Sequence, residues 1–154
     1  LPGMLDRGRG HIVYLSSIAG SSGFPSMATY CATKAGINGF VAALRMELKG
    51  SPVRTTLVAP GPVDTRMWDA VENSSSASTQ SVIDRLNLLR LMPKADPDRL
   101  ARRVVRATSR RTRHVRTPRR LSANFMLGEA SQRLTEVLLV GVHLDPSDTR
   151  VDGS

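Results

Sequence analysis

The sequence has one cysteine, Cys31, in 154 residues. No disulfide framework and no thiolate metal cluster can be drawn within a single chain, and a reducing compartment is the simplest setting. Nor is there an apolar run near the roughly 18 residues that cross a bilayer, or a charged-then-apolar-then-cleavage pattern at the N-terminus. The expected location is therefore cytoplasmic. The first residue is Leu1, not methionine, and Leu1-Pro2-Gly3-Met4 carries no helix or strand of its own in this reading. The expectation is a chain cut into from its upstream side.

Acidic residues are missing from one stretch in particular. Between Arg99 and Arg120 there are ten arginines and no aspartate or glutamate, and the net charge of +9 is concentrated there. Three readings stay open. The first is a solvated helix face followed by an exposed edge strand. The second is peripheral membrane contact through the Arg99–Arg120 segment and the amphipathic tail of Phe125, Met126, Leu127, Leu134, Val137, Leu138 and Leu139. The third, nucleic-acid binding, lacks a reader motif and has only one aromatic nearby, so no nucleic-acid partner is expected.

What is present has a βαβ rhythm. Gly10–Ser17 (GHIVYLSS) follows a Gly-Arg-Gly turn and reads as a buried strand that delivers Ser16 and Ser17 at its carboxyl end. Residues 19–26, rich in glycine, serine and proline, read as a loop. From Ala28 to Lys49 small and apolar residues recur at three- and four-residue steps, and Gly50-Ser51-Pro52 stops the helix. Val53–Ala59 is a second strand, ended by Pro60-Gly61-Pro62. A short helix is expected from Trp68 to Val71, a polar mobile stretch from Asn73 to Ser81, a helix from Val82 to Leu91, and another from Asp96-Pro97-Asp98 to about Thr108. His114–Thr117 reads as a last strand. The fold class is α/β, the C-terminal part of a Rossmann-like doubly wound parallel sheet over residues 1–120. A helical extension and a disordered tail follow over residues 121–154.

Ser17, Tyr30 and Lys34 carry the chemistry. Tyr30 and Lys34 are four apart, so they share one face at the start of the long helix. Ser17, thirteen positions before Tyr30, stands at the carboxyl end of a parallel strand, where open α/β sheets bind ligands. With a strand before the serine and a Pro-Gly turn after the next strand, GHIVYLSSIAGSSGFPSMATYCATKAGINGFVAALRMEL resembles the active-site segment of the short-chain dehydrogenases/reductases. The likeness covers Gly10 to Met67 well and Asp96 to Thr117 loosely.

The resemblance implies an oxidoreductase that interconverts an alcohol and a carbonyl with NAD or NADP, which of the two being undecided. Ser17 would hydrogen-bond the substrate oxygen, Tyr30 would give or take the proton, and Lys34 would favour the phenolate and hold the nicotinamide ribose. Pro60, Gly61, Val63 and Thr65 would line the nicotinamide end of the dinucleotide, with Tyr30 and Lys34. The helix from Ala28, with Ala35, Gly39 and Ala43, would build a homo-oligomer interface. The family's glycine-rich phosphate loop and relay asparagine are absent, and Gly20-Ser21-Ser22-Gly23 lies too late to replace the loop. The alternative is therefore an inactive fragment serving as a binding or dimerisation module. Cys31 is expected to be a buried filler, and His11 and His114 structural or surface residues with no metal site. Met67 and Trp68 are either pocket-lining lid residues or ordinary packing.

Overall fold

Two short parallel strand pairings organise the chain. The computed structural model describes residues 1–24, 27–74, 80, 83, 84, 88 and 93–118, apart from the side chains of 71, 72 and 74. The expected helix over Val82–Leu91 lies almost wholly outside these residues, and the extension and tail over 121–154 lie wholly outside them.

The opening residues form a short helix, α1 (Pro2–Asp6), contrary to the sequence expectation. Pro2 sits at its first position, where a missing N–H costs nothing. Tertiary contact supplies what local pattern did not show: Met4 packs against the cluster of Leu44, Leu48 and Val53. A Cβ on Gly10 would lie 2.6 Å from Met4, so glycine is what lets this helix close over the strand.

Strand β1 (Gly10–Leu15) runs parallel to β2 (Val53–Pro60), in register from Gly10 against Val53 to Leu15 against Val58. Strand β3 (His114–Thr117) lies parallel on the far side of β2, giving the order β1-β2-β3. Side chains alternate across such a ladder. Ile12, Tyr14 and Val53 therefore share one face, where α2 (Ala28–Glu47) packs with Leu44. Val58 and Val115 share the other, under Leu100, Val104 and Ala107 of α4 (Pro97–Ser109). Helices on both faces are what a parallel sheet requires. Val41, Val53 and Val58 are among the largest fully buried side chains, each contributing on the order of 1.5–3 kcal/mol by burial.

Between β2 and α4, α3 (Arg66–Ser74) is longer than expected, with Asn73 and Ser74 helical rather than part of a polar stretch. The rest of that stretch lies outside the described residues, except Gln80. Covering is incomplete at β1: Val13 is 36% and Leu15 62% exposed on the α4 side.

His11 and Thr56 join β1 to β2 through the ladder. The Thr56 hydroxyl, fully buried, donates to the Thr112 carbonyl at 2.6 Å, so His11 Nε2, 2.7 Å from that oxygen, is the donor. Burial and the nearby Arg111 charge hold the His11 pKa below its ordinary 6.5. Arg111 itself has φ 54, the left-handed conformation that glycine adopts most readily. It ends α4 with paired bonds from Arg111 N to Thr108 O and from Thr112 N to Ala107 O.

These facts predict one coupled result. Below pH 6.5 the unfolded chain binds the His11 proton more readily than the folded one, so stability falls with pH until the lowered folded value is passed. Arg111→Gly should raise unfolding stability by about 1 kcal/mol at neutral pH through relief of the left-handed residue. It should also flatten the decline between pH 7 and 5, both read from urea unfolding with His11→Gln as the reference.

Candidate active site

Four elements meet at the carboxyl end of the sheet. Beyond Leu15 the β1 ladder continues for one bond, Ser16 N to Val58 O at 2.8 Å, and the chain then turns sharply. Ser17 is extended (φ −156°, ψ 164°) and caps a 3-10 turn, Ile18–Gly20, its Oγ accepting from Ala19 N at 3.1 Å. The same Oγ faces the Pro60 carbonyl at 3.4 Å, at the end of β2. Ser17 is 8% exposed.

The 3-10 turn lies directly on α2. A Cβ on Gly20 would sit 2.8 Å from the Lys34 carbonyl, so only glycine permits the approach. Asn38 locks the contact: its Oδ1 accepts from Ser16 Oγ at 2.7 Å, and its Nδ2 donates to Gly20 O at 3.0 Å and Ser21 Oγ at 3.3 Å. Ser16 Oγ also reaches Lys34 O at 3.2 Å. Sequence reasoning missed Ser16, Gly20 and Asn38. The one available signal was Asn38 itself, a polar residue one turn beyond Lys34 in a helix otherwise rich in small residues.

Tyr30 and Lys34 are brought together as their spacing implies. The Lys34 ammonium lies 5.5 Å from the centre of the Tyr30 ring and donates to the Leu15 carbonyl at 3.2 Å. That bond anchors the lysine to the strand end two residues before Ser17. Ser17 makes no direct hydrogen bond to Tyr30 or Lys34 among the described residues; it joins them through the β1 end and faces the Pro60 turn.

The turn after β2 is held on two sides. Gly61 N donates to Thr117 O at 2.6 Å, and a Cβ on Gly61 would lie 3.2 Å from Thr117 O. Val63 forms a parallel bridge with Ala95, with Asp64 N to Ala95 O at 3.0 Å and Ala95 N to Pro62 O at 2.8 Å. Thr65 Oγ1 donates back to Val63 O at 3.2 Å and keeps its lone pairs as acceptors. Of the apolar residues after the turn, Met67 is 62% exposed and Trp68 half-buried on α3.

An ammonium has three donors, and Lys34 uses one on Leu15, leaving two for a vicinal diol beside the Tyr30 hydroxyl. That donor set fits the ribose end of a nicotinamide dinucleotide. Residues 20–23 do not fit the pyrophosphate: the amides of Gly20, Ser21 and Ser22 are already bonded to Ser17 O and Ile18 O. Cys31 is half-buried, with its thiol 3.8 Å from Ser22 O. His114 Nε2 accepts from Arg45 at 2.9 Å, and no group of three metal-ligating side chains occurs among the described residues.

A parallel sheet flanked by helices, with hydroxyl and ammonium groups gathered at its carboxyl ends, is the architecture of Rossmann-type folds. Comparison with known proteins agrees. Residues 1–76 match the family model of the short chain dehydrogenases. An uncharacterized oxidoreductase of Staphylococcus saprophyticus is 34% identical over 139 residues, 87% of this chain and 50% of that protein. The uncharacterized oxidoreductase YbbO of Escherichia coli is 41% identical over 76 residues, 49% of this chain and 28% of that protein. Among solved structures, an actinorhodin polyketide ketoreductase with NADPH superposes with a TM-score of 0.60 at 29% identity, over 75% of this chain and 48% of that one. A Streptomyces avermitilis short-chain dehydrogenase, with a TM-score of 0.58 at 21% identity over 92% of this chain and 54% of that one, shares the fold. Over residues 1–76 the chain is thus similar to the short-chain dehydrogenases/reductases, and it spans half or less of the length of these two curated relatives.

The Ser16–Asn38–Gly20 clamp makes a prediction independent of catalysis. Asn38→Ala leaves the Gly20 carbonyl without its partner and the Ser16 hydroxyl with only its longer contact to Lys34 O, and should cost about 1–3 kcal/mol in urea unfolding. Gly20→Ala, which forces the turn off α2, should cost about as much by overpacking. If both variants unfold with the parent, the turn is not held as described.

Proposed function

We infer that this chain carries the proton-transfer site of an oxidoreductase that interconverts an alcohol and a carbonyl using NAD(H) or NADP(H). The observation that carries the reading is the Lys34 ammonium, held on the Leu15 carbonyl and stacked 5.5 Å from the Tyr30 ring at the carboxyl end of the sheet. In this reading Tyr30 passes a proton to or from the substrate oxygen through its hydroxyl. Lys34 offsets the negative charge left on that hydroxyl and holds the ribose with its two remaining donors. Ser17 turns its hydroxyl from Pro60 O, a 3.4 Å contact, to the substrate oxygen and stabilises charge there. Pro60, Gly61, Val63 and Thr65 border the nicotinamide. The dinucleotide, when bound, supplies or accepts the hydride.

A second reading has its own observation. Ala32, Ala35, Gly36, Gly39, Phe40 and Ala43 form an exposed face of α2, with Phe40 56% exposed although it packs edge-on against Tyr14 at 5.7 Å. A face of small residues allows close helix approach, and a non-catalytic module that self-associates through it is the alternative.

Two measurements separate them. In the full natural polypeptide that carries this sequence, Tyr30→Phe should lower NAD(P)H-dependent turnover of a carbonyl panel about 10²- to 10⁴-fold with dinucleotide affinity little changed. Unchanged turnover sinks the proton-transfer role. For the 154-residue chain itself, saturable NADPH fluorescence quenching supports the first reading. Absence of quenching, with concentration-dependent dimerisation in sedimentation that Gly39→Leu abolishes, supports the second.

A further inference from the structure

The arginines of α4 and its C-cap, Arg110, are gathered, not scattered. Arg99, Arg102, Arg106 and Arg110 follow one another at steps of three and four, all exposed, opposite the buried side of Leu100, Val104 and Ala107. At 3.6 residues per turn they fall within an arc of about 80° and extend about 16 Å along the axis. None of the four side chains has a hydrogen-bond or ion-pair partner among the described residues, and Asp98, the helix's one acidic residue, forms no ion pair with them. Arg103, on the flank toward the sheet, is different: it donates to Arg116 O at 3.1 Å and so serves the fold.

Like charges three and four apart weaken a helix, so the row is a local cost with no return among the described residues. We propose that this row is a docking surface for an anionic lipid bilayer. The row is straight and single-faced, matching a flat array of phosphates. Beside it Val105, 68% exposed, and Ala101 offer a small apolar margin suited to the headgroup boundary. A nucleic acid is the poorer fit, because PDRLARRVVRATS contains no aromatic to stack on a base and no asparagine or glutamine to read one. The surface faces away from the sheet, opposite the packed side of Leu100, Val104 and Ala107.

The test is co-sedimentation of the whole chain with phosphatidylcholine vesicles, plain or containing about one third phosphatidylglycerol. Binding is expected only to the anionic vesicles and should disappear as salt rises from about 0.05 to 0.5 M. Each arginine lost from the row should weaken partitioning about fivefold, so Arg102→Gln with Arg106→Gln should weaken it about 25-fold. Arg7→Gln with Arg9→Gln, the same loss of charge at the far end of α1, should change it less than about twofold. No binding to anionic vesicles overturns the proposal, as does an equal loss in both pairs of variants. Tighter binding to random duplex DNA or RNA than to the vesicles overturns it in favour of a nucleic acid.

Discussion

The register between β1 and β2 is the constraint on which the rest depends. Leu15 opposite Val58, followed by the Ser16 to Val58 bond, ends β1 two residues before the end of β2. That places Ser17 against the Pro60 carbonyl and the Leu15 carbonyl within reach of Lys34. A slip of one residue would exchange the two faces of β1. Ile12 and Tyr14 would leave the α2 core, and His11 would lose Thr56. The site is therefore coupled to core packing through the pairing of two strands.

Around that register the structure fixes the site from both flanks. On one side Asn38 and Gly20 pin the serine turn to the same helix that carries Tyr30 and Lys34. Helix position and loop position are thus one variable. On the other, Gly61 is tied to β3 and Val63 to Ala95, immediately before the Asp96 cap that accepts from Arg99 N at 2.7 Å. The start of α4 and the turn after β2 are thereby held together. A rigid frame of this kind is what lets short polar side chains act at defined positions.

Much of this frame was legible beforehand, for identifiable reasons. β-branched runs and the glycine and proline breaks marked all three strands within a residue or two, and Tyr30 and Lys34 met because i and i+4 always do on a helix. What sequence could not show was anything created by tertiary contact. The α1 helix has too few residues for a periodic signal and exists through Met4 against Leu44, Leu48 and Val53. Likewise α3 outran its expected end, and Asn38 declared its role only once Ser16, Gly20 and Ser21 had been folded onto it. The pairing of Arg45 with His114 spans 69 positions and has no local trace.

The two helices that cover the sheet have opposite relations to charge, and this follows from what each can spend its polar groups on. On α2, Lys34, Asn38 and Arg45 each hydrogen-bond an element across the sheet or the serine turn. Their charge and polarity are used to position backbone near the site. On α4 only Arg103 does so, and the four arginines of the outer row meet nothing in the described molecule. The four outer arginines point away from the sheet, on the side of the helix opposite Leu100, Val104 and Ala107, and that separation of roles is the observation behind the proposed anionic partner.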